Sequence, residues 1–334
     1  MTKIRWGLLS TANINKALIP AIRASARGEL VAVASRDHTK AEAYAQEWAI
    51  PQAFGSYEEM LQSGAVDAVY IGLPNHLHAE WSIKAMQAGL HVLCEKPFAT
   101  SLAEVDAMIA ASQKTGMMLA EAFMYRHHPQ TKIAGEIVRA GKLGEITLLR
   151  GTFDFFLPET QRQPENINVR LVPEWGGGCQ WDVGVYPMSF AQFIFGGPPE
   201  WVFGAQKIGA SGVDEVFAGQ MGYANGRLAQ ISSSFATPFH TFIEIIGTQG
   251  RLHLSKPFVG LDEGRKLTFT PKDGPDEEIV VPEKALYLGE VEDIHAAILD
   301  GVPSYLTLEE TRNHVKTVLA LYESAKTGKI IRPQ

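Results

Sequence analysis

From the amino terminus to residue 121, short runs of consecutive apolar residues alternate with segments whose apolar positions recur every three or four residues. The runs at Ile4–Leu9, Leu30–Ser35, Ala65–Gly72, His91–Cys94 and Met117–Ala120 predict strands, and the stretches between them predict helices starting near Asn13, Thr39, Ser56, His76 and Ser101. Strands that are apolar on both faces, separated by amphipathic helices, form a parallel sheet covered on both sides, the doubly wound α/β arrangement. Such a sheet keeps its ligands beyond the C-terminal ends of its strands.

After residue 122 the pattern changes. One helix, Pro129–Ala140, leads into extended stretches at Glu145–Leu157, Glu200–Ile208, Val213–Tyr223, Leu228–Phe235, Thr241–Gly247, Arg251–Leu254 and Lys266–Thr270. Asn225-Gly226 between two of them predicts a hairpin turn with two positive φ angles. The result is a large, mostly antiparallel open sheet in an α+β half. Val315, Val318, Leu319, Tyr322 and Ala325 form the apolar stripe of a closing helix, started by the Thr307 to Glu310 capping box and stopped by Gly328.

The 334 residues carry a net charge of −7, which supplies no basic footprint for nucleic acid or an anionic membrane. No window approaches the roughly 18 apolar residues of a membrane span, and the first strand starts too early for a signal peptide, so a cytoplasmic protein is expected. The two cysteines, Cys94 and Cys179, stand far apart and are expected to be free thiols. His76 with His78 and His127 with His128 lack matching carboxylate or cysteine clusters, so no metal is expected.

The turn after the first strand, WGLLSTANINKAL, lies where a dinucleotide-binding fingerprint belongs. In GxGxxG the glycines serve a tight turn, close approach to pyrophosphate and helix-on-strand packing. Ser10, Ala12 and Asn15 occupy those places here. A plain strand-turn-helix, capped by Ser10 or Asn13, accounts for the same residues.

More informative is HVLCEKPF, His91 to Phe98, in which a buried strand delivers an acid and a lysine at its C-terminal end. A partly buried ammonium is costly unless it is paired or functional. With STANI after the first strand, GLPNHLH at Gly72 to His78, MYRHHP at Met124 to Pro129 and NVRLVPEWGGGCQWDVGVYP at Asn168 to Pro187, this segment resembles the motifs of the Gfo/Idh/MocA oxidoreductases, in order along nearly the whole chain. The likeness is to the subgroup carrying tyrosine where others carry histidine.

The resemblance implies a Rossmann dinucleotide-binding domain over 1–122. It implies an α+β domain over 123–334 for substrate binding and oligomerisation, whose last helix can pack back on the first domain. It further implies a homodimer or higher homo-oligomer through the open sheet. Lys96, Tyr186 and Asp182 are the expected catalytic residues. Positive charge near a phenol favours the phenolate, so Lys96 helps Tyr186 act as acid and base, while Asp182 orients substrate or holds the lysine. Asp182 also fits a helix N-cap, and Tyr186 a core aromatic. The GGG of Gly176 to Gly178 reads as a flexible approach.

Expected cofactor contacts are Ser10, Thr11, Ala12, Asn13 and Ile14 in the first turn, Leu73, Pro74, Asn75 and His78 after the fourth strand, and Glu95, Lys96, Arg126 and Arg170. Ser35 and Arg36 stand where NAD-specific sites place an acid, which favours NADP, with NAD as the alternative; Asp37 remains within reach of the ribose. Substrate contacts are expected from Lys96, Arg126, His127, Trp175, Asp182 and Tyr186. The function expected is NADP-dependent hydride transfer to or from a sugar, polyol or related diol. A non-catalytic dinucleotide sensor is a second reading, against which Lys96 argues, and NAD-assisted glycosidic cleavage without net oxidation is a third.

Overall fold

The structure, a computed structural model, describes residues 2–259 and 264–333. It contains two compact units, Met1–His127 with Ala285–Arg312 and His128–Lys284 with Asn313–Gln334. Where the sequence pattern suggests one division at residue 122, the chain thus re-enters the first unit late.

The first unit runs β1 (Ile4–Leu9), α1 (Asn15–Ala24), β2 (Gly28–Ala34), α2 (His38–Glu47), β3 (Gln52–Phe54), α3 (Tyr57–Gln62), β4 (Ala68–Ile71), α4 (His78–Gln87), β5 (His91–Glu95), α5 (Leu102–Thr115) and β6 (Leu119–Ala122). The strands form one sheet in the order β3-β2-β1-β4-β5-β6, every pairing parallel. Strand order reverses between β1 and β4, and a doubly wound sheet binds ligands beyond the strand ends at such a reversal. Side-chain caps fix the helix starts: Asp37 on α2, Ser56 on α3 and Ser101 on α5.

In the second unit α6 (Pro129–Arg139) and β7 (Ile146–Phe156) are followed by a wide π-helical turn, Gln180–Gly184, that runs into α7 (Val185–Phe195). Then come β8 (Trp201–Ile208), β9 (Asp214–Gly222), β10 (Leu228–Ser234), β11 (Ala236–Gly247), β12 (Gly250–Ser255), β13 (Leu267–Pro271) and β14 (Glu277–Ile279). The sheet order is β14-β13-β12-β11-β7-β10-β9-β8, antiparallel except for β7 with β10. Asn225 and Gly226 both take positive φ, 61° and 73°, in the β9–β10 hairpin. α7 packs on β7 and β10, and Leu149, Ile231 and Ile243 of the sheet and Met188 and Phe190 of the helix are buried. Phe203, Gln220, Gln230 and Arg150 stand in register across the other face and are exposed.

Two helices close the chain, α8 (Leu288–Asp300) and α9 (Leu308–Thr327). α8 packs on α1 and adds Val291 and Ile294 to the core of Trp6, Leu8, Leu18, Ile22, Val33 and Leu93. Each such side chain contributes roughly 1.5–3 kcal/mol on burial.

Candidate active site

The missing glycines of the first turn are replaced by side-chain hydrogen bonds. Ser10 takes φ +113°, a conformation that favours glycine. Its hydroxyl donates to the Gly72 carbonyl at 3.0 Å and accepts from the Ala12 N–H at 3.2 Å, while Asn15, fully buried at the third glycine place, donates to the Ser10 carbonyl at 2.7 Å. These bonds offset the backbone strain and hold Thr11 to Ile14 ahead of α1. The first turn of α1 carries neither an acid nor a side-chain cap. The Asn15, Lys16 and Ala17 N–H groups donate back to the Ala12, Asn13 and Ile14 carbonyls at 3.1, 3.2 and 3.0 Å, so what this turn offers a pyrophosphate is the positive dipole end of the helix.

At the end of β2, Ser35 is buried and accepts from the Asp37 N–H at 3.2 Å. Asp37 instead caps α2, accepting from the Lys40 N–H at 3.3 Å, so its carboxylate is engaged with the helix start. Arg36 is exposed and hydrogen-bonds Tyr57, whose hydroxyl is raised by burial and pulled back by the guanidinium. A cationic Arg36 beside Ser35, with the acid drawn away, fits a 2′-phosphate better than a bare ribose.

Beyond β4, Leu73, Pro74 and Asn75 lead into a short turn, and His78 is wholly buried behind it. The His78 ring spans two loops, Nε2 2.8 Å from the Leu73 carbonyl and Nδ1 2.9 Å from the Pro97 carbonyl. At the place of this expected cofactor contact the ring is thus enclosed by backbone: in its neutral form the single N–H donates to one of the two carbonyls. Burial, outweighing the two carbonyls, lowers its pKa.

Lys96 follows β5, half-buried, on a turn whose Lys96–Pro97 peptide is cis. Glu95 is buried, accepts from the Tyr70 hydroxyl, and takes the Lys96 N–H at 3.2 Å. Glu290 of α8 is also buried, and neither of its carboxylate oxygens has a hydrogen-bond partner among the described residues. Burial foremost, and then the nearby Glu95, hold its carboxyl well above the usual carboxylate range. Arg126 is 2% exposed and pairs with Glu310 at 2.9 Å, and the buried His127 ring lies 5.6 Å from that of Tyr305. Both thus face the interior of the first unit.

In the second unit, Arg170 and Asp182 form an ion pair at 2.5 Å, and Asp182 lies in the wide turn ahead of α7. Tyr186 is buried, its ring 5.4 Å from Phe153 and 5.2 Å from Phe258. Helical conformation begins at Gln180, so Pro187 sits deeper than its missing N–H predicts, where the widened turn and the small Gly151 accommodate it. Trp175 is exposed on a short turn. The GGG segment is not a flexible approach: Gly177 and Gly178 donate to the Val172 and Arg170 carbonyls at 3.0 and 2.9 Å, and a Cβ on Gly177 would lie 2.6 Å from the Arg170 carbonyl oxygen. Among the described residues no group of three His, Cys, Asp or Glu gathers as metal ligands, and no helix is long and apolar enough to cross a membrane.

Two family models match in tandem: the oxidoreductase family with NAD-binding Rossmann fold over residues 4–123, and the Gfo/Idh/MocA C-terminal domain over 131–253. The chain is 38% identical to D-xylose 1-dehydrogenase (NADP(+)) 2 of Haloferax volcanii, over 97% of this chain and 98% of that protein. The chain belongs to the Gfo/Idh/MocA oxidoreductase family. It is also 32% identical to a Xenopus laevis trans-1,2-dihydrobenzene-1,2-diol dehydrogenase, over 75% of this chain and 74% of that one. Its fold superimposes on a 3-ketoreductase from Actinomadura kijaniata, solved with NADP and TDP-benzene, with a TM-score of 0.88 and 27% identity, covering 97% and 98% of the two chains.

Other buried polar groups, without a clear mark in the sequence, lie beside the expected site residues of each unit. Tyr70 and Glu290 flank Glu95, and Asp214 contacts the wide turn. The only sequence signal for Glu290 is an acid on the apolar side of Leu288, Val291 and Ile294.

Proposed function

We propose that the chain transfers a hydride between NADP(H) and a secondary alcohol or lactol, or the corresponding carbonyl, of a sugar, polyol or related diol. NAD is the alternative carrier. When bound, the nicotinamide supplies the hydride acceptor for oxidation and the donor for reduction. The turn Ser10 to Ile14 with the N-terminus of α1 would hold the pyrophosphate, Ser35 and Arg36 the 2′-phosphate, and the Leu73 to Asn75 loop with the Glu95-Lys96 turn the nicotinamide half.

In this reading the Tyr186 hydroxyl takes the proton from the reacting oxygen during oxidation and returns it during reduction. The Lys96 ammonium holds that oxygen and favours the tyrosinate by its charge. Asp182, oriented by Arg170, accepts from a neighbouring substrate hydroxyl, and Trp175 offers an apolar face to a sugar ring. Burial of Arg126 and His127 favours a packing role for both. The exposed sheet face around Phe203 and Leu228 is assigned to a homo-oligomer contact.

The observation that carries the reading is Lys96 at the C-terminal end of β5, on a turn secured by Glu95 and His78 in a dinucleotide-binding unit. The test is a panel of D-xylose and other aldoses, polyols and trans-dihydrodiols, each with NADP+ and NAD+, followed by the absorbance of the reduced nicotinamide. Lys96→Ala and Tyr186→Phe are expected to bind cofactor and lose turnover. Full activity in either variant refutes its role, and release of a sugar without net NADPH would point to glycosidic cleavage.

A further inference from the structure

Asp214, the first residue of β9, is 3% exposed, and its carboxylate is spent on the entry to the wide helical turn. Oδ2 accepts from the Gln180 backbone N–H at 2.8 Å and from the Cys179 thiol at 3.1 Å, and Oδ1 accepts from the Tyr322 hydroxyl at 2.7 Å. The same thiol lies 3.3 Å from the Ser233 carbonyl. Gly178 is shaped for this approach: it takes φ +125°, and a Cβ there would lie 2.1 Å from Asp214 Oδ1.

The first N–H groups of a helix have no partner within it, and a carboxylate placed there satisfies a donor and complements the dipole. A residue just before the helix ordinarily supplies that cap at the surface. Here the cap comes from a different strand, and burying its charge is tolerated because three donors satisfy it. Such an arrangement fixes where the helix begins on the sheet, and Asp182 lies two residues beyond Gln180, with Tyr186 one turn further.

We propose that Asp214 is a positioning residue that sets the placement of Asp182 and Tyr186, with glycine required at position 178 to admit its carboxylate. The inference rests on the proposed roles of Asp182 and Tyr186 and adds to them a residue that itself touches no substrate.

Three variants test it: Asp214→Asn, Asp214→Ala and Asp214→Glu, assayed on the panel substrate that the wild type turns over fastest. Asparagine keeps an acceptor for the Gln180 N–H, and the Tyr322 hydroxyl can turn to accept from the new amide, so kcat is expected within about threefold of wild type. Alanine removes every acceptor and is expected to lower kcat roughly 10²-fold, the scale for a misplacement near 1 Å. The dissociation constant for NADP+, read by protein fluorescence, should stay within about twofold. Amide exchange should speed up at residues 180–186 and stay unchanged in β1. Glutamate, one methylene longer, should lower kcat about tenfold, and it decides the matter if the alanine variant does not fold. Wild-type kcat in folded alanine or glutamate variants, or an equal loss in asparagine and alanine, overturns the proposal. Tyr186→Phe is run alongside: full activity there defeats the tyrosine assignment, whereas the exchange pattern at 180–186 still reports on the clamp.

Discussion

His295 makes a sharp test of how the first unit is held together, because its protonation state is dictated by geometry. The Trp6 indole Nε1–H can only donate, and it points at His295 Nε2 from 2.8 Å, so that nitrogen must carry a lone pair. Nδ1, 3.0 Å from the Ser25 hydroxyl, then carries the proton. A second proton would break the Trp6 bond in the interior, where His295 is fully buried. Burial foremost, and then the nearby Arg27 guanidinium, lowers its pKa from 6.5 to about 4. The unfolded chain therefore binds a proton between about pH 6.5 and pH 4 that the folded chain refuses, and stability falls with pH across that window. At about 1.36 kcal/mol per pH unit, the full loss is about 3 kcal/mol, complete below pH 4 and absent above pH 6.5. The assay is native-state exchange of β1 amides between pH 7 and pH 4, corrected for intrinsic rates, in the wild type and His295→Gln. Glutamine can accept from Trp6 and donate to Ser25 but cannot titrate. The wild type should lose about 3 kcal/mol more than the variant over that range, and parallel curves would refute the reasoning.

Four further outcomes are expected. Arg36→Ala should weaken NADP+ binding roughly 10- to 100-fold, the worth of a charge-assisted contact, and NAD+ less than threefold; equal losses in fluorescence titrations would reject the phosphate assignment. Ser10→Ala keeps the +113° backbone but deletes two hydrogen bonds, so it should cost roughly 1–2 kcal/mol in urea unfolding and weaken both dinucleotides. Arg170→Ala removes one partner of Asp182 and should raise KM for a sugar substrate more than it alters the dissociation constant of NADP+; the reverse split would move Arg170 to the cofactor. Phe203→Asp with Leu228→Asp should shift sedimentation to the monomer while leaving cofactor affinity intact, and an unchanged assembly would clear that face of the role.

The parts of the site legible in the sequence are those whose physics is local. A strand ending in Glu95-Lys96 says where a parallel sheet presents a lysine, and Asp182 four positions before Tyr186 says that they stand about one helical turn apart, Asp182 in the wide turn and Tyr186 at the start of α7. The degenerate fingerprint was legible in place but not in cause, because Ser10 tolerates its backbone only through the Gly72 carbonyl and Asn15, neither of which a glycine pattern records. β3 and β14 span three residues each, too short for alternation to show. α8 carried a readable stripe in Leu288, Val291, Ile294 and Ile298, yet its membership in the first core depends on the chain returning after a whole second sheet.

The GGG tract shows most plainly where local reading stops. Three glycines in a row suggest looseness when only entropy is weighed. Yet Gly177 is closed against the carbonyls of Arg170 and Val172, and Gly178 is closed against the carboxylate of Asp214. A glycine marks either a segment that must move or one that another group must approach closely, and composition alone does not separate the two. What separates them here is hydrogen bonding: Gly177, Gly178 and Gln180 all donate their N–H groups to named acceptors, which leaves the segment little freedom. Asp182 and Tyr186 follow directly on that pinned segment, so in the proposed site the glycines act by admitting its supports, and bulk added at Gly178 should harm turnover by displacing the Asp214 carboxylate.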